Sequence, residues 1–121
     1  MQMDPNIMRD ILLQTEAHPA GQIIYRFNVE GHDEVEVNEH VELLIDAGLL
    51  EGKVIRIDRG LPVRSVVKRL TFAGHQFLAT ARNDTIWKKV IARAKEKGMS
   101  TSMTVINGLL EAAAKKYAGL E

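Results

Sequence analysis

The chain has 121 residues, 45% of them hydrophobic and 26% charged, with a formal net charge of zero. That balance suits one folded domain with a modest core and excludes a disordered chain. There is no cysteine, which removes disulfides, thiolate metal sites and a cysteine nucleophile. No apolar run approaches the ~20 residues of a membrane span, and "MQMDPNIMRD" has no signal-peptide pattern, so a cytoplasmic protein is expected.

The first helix is expected over residues 4–17, with Asp4 as cap, Pro5 at the first helical position and Ile7, Met8, Ile11 and Leu12 at helical spacing. "HPAG" ends it, and "QIIYRFNV" at 22–29 reads as a short strand because it is β-branched and aromatic. A second helix is expected over 33–47, with Val37, Val41, Leu44 and Ile45 as its buried stripe and Gly48 as its stop. "LLEGKVIRID" at 49–58 alternates as a strand, "RGLPVR" at 59–64 turns, and "SVVKRL" at 65–70 returns as its partner. Three helices follow, over 71–82, 83–97 and about 102–118. Phe72, Phe77 and Leu78 are expected to face the core from the first of these. Trp87, Val90, Ile91 and Ala94 do so from the second, and Met103, Ile106, Leu110, Ala113 and Tyr117 from the third. Ser100 or Thr101 would cap the last helix and Gly98 would end the one before it. The expected class is mainly α with a small antiparallel wing, an α+β fold. Residues 1–82 would form its winged-helix-like core, and 83–121 C-terminal helices that pack on that core or form a dimer contact.

Helix, strand, helix and hairpin is winged-helix order, joined here by "LLIDAGLLEG". The run "RLTFAGHQFLATARNDTIWKKV" resembles an uncharacterised bacterial and phage family, domain of unknown function 2513. The resemblance rests on Arg69, Leu70, Thr71, Gly74, His75, Phe77, Leu78, Arg82, Asn83, Asp84, Thr85, Ile86 and Trp87. "RDILL" near the N-terminus and "AAAKKYAGL" near the C-terminus extend it over nearly the whole chain. The family's tryptophan is replaced here by Phe72, and acids it carries near Gln76 and Ala79 are missing. The resemblance implies a winged helix and phage association but brings no activity.

Charge divides the chain. Residues 1–51 hold eleven acids and two bases, a net of −9; residues 52–121 hold fourteen bases and five acids, a net of +9. Either a polar partner or attraction between the two halves would account for this. The 33–47 helix occupies the place of a groove-reading helix yet carries no cation, so it is badly charged for DNA. Glu36, Glu39, Leu43 and Asp46 fall opposite its apolar stripe. They are either a solvated face or a protein-docking face with Leu43 as apolar anchor. The wing is basic, with Lys53, Arg56, Arg59, Arg64, Lys68 and Arg69 against Asp58 alone. Lys89 and Arg93 extend the basic surface along the 83–97 helix. These cations either track phosphates or protect strand edges.

Enzyme signals are weak. "GLLEGKV" at 48–54 has three residues between its glycines where a phosphate loop has four, and Val54 where that loop needs Ser or Thr. Glu36 and His40 share a helix face but lack a third metal ligand, and no serine sits in a triad context. No catalytic residue, metal or cofactor is expected. The leading expectation is a non-enzymatic winged-helix protein with a regulatory or accessory role through an unidentified protein partner. Its alternative is non-specific nucleic-acid binding through the basic wing and C-terminal half. The last helix makes a homodimer the further option.

Overall fold

The computed structural model describes residues 1–57, 60–96 and 103–118. The elements run α1 (Pro5–Ala17), α2 (Glu34–Asp46), β1 (Leu50–Arg56), β2 (Pro62–Leu70), α3 (Phe72–Ala81), α4 (Asp84–Glu96) and α5 (Met103–Ala118). The chain is thus mainly helical with one small antiparallel hairpin, the α+β class that its patterning predicts. The candidate caps at Gly98, Ser100 and Thr101 lie outside the described residues, as do Lys97, Asp58 and Arg59.

Local chemistry sets the helix starts. The Asp4 side chain accepts from the Asn6 N–H at 2.9 Å, Asp33 from Glu36 at 2.8 Å, and Asn83 from Ile86 at 3.0 Å. Each satisfies a donor that the first helical turn leaves unpaired. After α2, Gly48 adopts a φ of +79°, which reverses the chain into β1 without the strain a side chain would bring.

Two expectations are corrected. Residues 22–29 form no strand: Ile24 alone makes a bridge, exchanging both backbone hydrogen bonds with Val67 at 2.9 Å. The next buried residue is Phe27, three positions on, so the two-residue period fails and the chain turns away from β2. The second strand begins at Pro62 rather than Ser65, because proline is tolerated at a strand's first position. The stretch 18–33 holds no helix, so α2 is not the second member of a helix pair joined by a three- or four-residue turn.

A continuous core joins all the elements. Ile7, Met8, Ile11 and Leu12 of α1 meet Val37, Val41 and Leu44 of α2, Val67 and Leu70 of β2, Phe77 and Leu78 of α3, and Val90 and Ile91 of α4. Ile106 and Leu110 of α5 are buried in the same cluster. Trp87 meets Phe77 edge to face, with ring centroids 6.2 Å apart, and its Nε1 donates to Asn6 Oδ1 at 2.8 Å. Arg9 lies 5.5 Å from the Trp87 ring centroid and donates to the Ala81 carbonyl at 2.6 Å, to the Arg82 carbonyl at 3.0 Å and to Asp84. One side chain of α1 thereby pins the α3–α4 junction. Burying a large apolar side chain contributes roughly 1.5–3 kcal/mol.

The hairpin sits on α2. Val54 and Ser65 pair on its inner face, Lys53 with Val66 and Ile55 with Arg64 on its outer face. A register shift between Glu51 and Gly52 makes Lys68 an extra residue, so Lys68 and Arg69 both stand exposed. Gly52 is required there, since a Cβ would lie 2.3 Å from the Val66 oxygen and 2.9 Å from the Val67 Cα. The root of the hairpin is closed by Thr71, whose N–H donates to the Leu49 carbonyl at 3.1 Å and whose hydroxyl donates to the Gly48 carbonyl at 2.5 Å. Gly74 backs this joint, where a Cβ would lie 2.2 Å from the Leu49 oxygen.

Candidate functional site

The acidic helix is less accessible than its sequence suggests. Leu43 is half-buried and packs against the core, so it is not an apolar anchor stranded among acids. The reason is geometric: α2 is covered by α1 on one flank and the hairpin on the other, which leaves a narrow solvent stripe. That stripe carries exposed Val35 and Asp46 with half-buried Glu39 and Glu42 between them. Arg56 reaches across from β1 to both of these acids, bonding Glu39 Oε1 at 3.1 Å and pairing with both oxygens of Glu42. Glu42, then Glu39, hold the Arg56 pKa above its ordinary value. Glu36 belongs to another flank and pairs with His32. Glu42 was missed as a functional acid, although its spacing from Glu39 and Asp46 follows the helical repeat.

His40 has no free nitrogen for a metal. It is fully buried; Nε2 accepts from the Asp4 N–H at 2.8 Å and Nδ1 donates to the Glu36 carbonyl at 2.8 Å. Among the described residues no three His, Asp or Glu side chains gather as a metal site.

The seven basic candidates separate. Lys53 and Arg64 share the outer face of the hairpin, exposed and without a hydrogen bond or ion pair among the described residues. Lys68 lies 4.0 Å from Glu51 at the end of the same hairpin, where Arg69 Nε donates to Glu51 at 2.8 Å. Hydrogen bonding and charge from Arg69 hold the Glu51 carboxyl below its ordinary pKa. Arg56 is consumed by α2, and Arg59 lies outside the described residues. Lys89 and Arg93 are elsewhere, on the rim of a groove of about 670 Å³ between α4 and α5 with Ile86, Val90, Leu109 and Ala113 among its apolar walls.

A second groove, of about 760 Å³, opens where the 15–24 segment, the end of β2 and the start of α3 meet. Its walls include His18, Ile23, Lys68, Arg69, Phe72 and His75. Phe72 was expected in the core but is 79% exposed. It stands five residues before Phe77, about 140° away around the helix, which was the available signal.

Residues 2–100 match the model of the family described as "Hypothetical protein (DUF2513)". The chain belongs to this family. It is also 32% identical over 109 residues to an uncharacterised protein of Haemophilus influenzae, a match that covers 88% of this chain and 89% of that one. No solved structure matches the chain. The residues that carry the DUF2513 resemblance mostly build the fold: Thr71 closes the hairpin root, Asn83 caps α4, Phe77 and Trp87 pack together, and Arg82 pairs with Glu16. Arg69 and His75 are different, being exposed in the groove beside the hairpin. No helix among the described residues is long and apolar enough to cross a membrane.

Proposed function

We propose that this chain is a non-enzymatic, winged-helix-like binding module that contacts nucleic acid through the outer face of its hairpin, in an accessory or regulatory role in the cytoplasm. The observation that carries this reading is the pair Lys53 and Arg64: exposed, on one face of a two-stranded sheet, and unpaired among the described residues. Lys68 and Arg69 continue that face, with Glu51 as their acid partner. Exposed lysines and arginines suffice for phosphate contact, and no Asn or Gln stands beside them on the hairpin, so the expected binding is non-specific or guided by duplex shape. α2 takes no part in it, since its solvent stripe is acidic. A protein contact at Glu36, Glu39, Leu43 and Asp46 is the weaker reading because Leu43 packs inward and Arg56 occupies Glu39.

Retention on random duplex DNA over a salt series tests the proposal. Four phosphate contacts would give a log–log slope of about −3.6. Lys53→Glu with Arg64→Glu should abolish retention, and Glu34→Lys with Asp46→Lys should not weaken it. A flat salt response, or retention by the first variant, overturns the reading.

A further inference from the structure

The groove beside the hairpin has a chemistry that phosphate contact alone does not need. Phe72 is the first residue of α3, where Thr71 does the capping, and its ring is 79% exposed. It is the most exposed large apolar side chain among the described residues. Ile23, 40% exposed, stands in the same groove walls. Lys68 and Arg69 reach the groove from β2, and the bond from Arg69 Nε to Glu51 fixes the guanidinium while that side chain stays 74% exposed. His18 contributes an Nε2 that is shielded from solvent and has no hydrogen-bond partner among the described residues, a state that folded proteins rarely leave uncorrected.

We propose that this groove binds single-stranded nucleic acid, with an unpaired base stacked on Phe72 and the flanking phosphates held by Lys68 and Arg69. The inference rests on the nucleic-acid reading of the hairpin and narrows it. A duplex keeps its base faces stacked inside and offers none to an aromatic ring, whereas a single strand does. The groove's volume of about 760 Å³ lies within the range of small-ligand pockets, ~300–1,000 Å³.

The test uses the full chain, a fluorescent oligothymidylate of about fifteen nucleotides, and the same strand annealed to its complement. Anisotropy should show the single strand bound about tenfold more tightly or better. Phe72→Ala should remove that preference without changing the melting temperature, and Phe72→Trp should keep it. Equal affinity for strand and duplex, or a preference that survives Phe72→Ala, overturns the assignment. If the duplex binds with a steep salt slope and the strand does not, the hairpin reading stands and the groove assignment falls. If neither binds, both fall.

Discussion

Arg56 and Arg64 belong to one hairpin and have opposite fates. Arg56 turns toward α2, where Glu39, Glu42 and the Gly60 carbonyl hold it. Arg64 stands on the outer face opposite Ile55 and has no partner among the described residues. The side of the pleat, not the residue type, decides which cation serves the fold and which remains available. The same division runs through the acids, for Glu39 and Glu42 are engaged while Asp46 is exposed. On a larger scale, ion pairs join the acidic and basic halves of the chain: Arg56 to Glu39 and Glu42, Arg69 to Glu51, and Arg82 to Glu16. Attraction within the fold therefore absorbs part of the charge asymmetry, and the cations of the outer hairpin face are among those it leaves over.

The most damaging way to break this comparison is to disturb the close approach of the two strands beside the bulge. Gly52→Ala forces a Cβ against the Val66 backbone and should cost about 1–3 kcal/mol, read by urea denaturation. Unchanged stability would mean that the strands approach less closely than 2.3 Å implies. A smaller effect sharpens the comparison directly. Arg56→Ala should lower the melting temperature at low salt, and the deficit should shrink at high salt, because exposed ion pairs are screened. Arg64→Ala should leave melting unchanged and weaken DNA retention. The reverse pattern would show that the two arginines have been assigned to the wrong faces. The smallest effect concerns Glu51. Its carboxyl pKa is lowered in the fold, so its contribution to stability is present above the unfolded value near 4.5 and is lost as pH falls below it. Melting of the wild type at neutral pH and near pH 3 should therefore differ slightly more than melting of Glu51→Gln across the same interval.

Helix periodicity made most of the fold legible. The stripes through Ile7 and Leu12, Val37 and Leu44, and Trp87 and Ile91 are buried as their spacing predicts. Residues 22–29 misled because β-branched composition signals a strand even where only Ile24 finds a partner. Leu43 misled because a helical wheel centred on one apolar stripe cannot register cover on two flanks. Residue type alone places Phe72 in the core, whereas its angular position sets it apart from Phe77. Which basic residues are available was not legible at all, since that depends on the pleat, the bulge and the reach of Arg56, three facts that no spacing encodes.

The joint at Thr71 fixes the hairpin at its root, and α2 supports its inner face along its length. Both strands leave the body through one bonded corner, with Gly48 and Leu49 on one side, Thr71 on the other and Gly74 wedged behind. The bonded corner and the packing on α2 together set the angle of the hairpin, so its outer face is held at one inclination. A partner meeting that face would owe little ordering entropy at the hinge, because the hairpin is held by α2 as well as by the Thr71 corner.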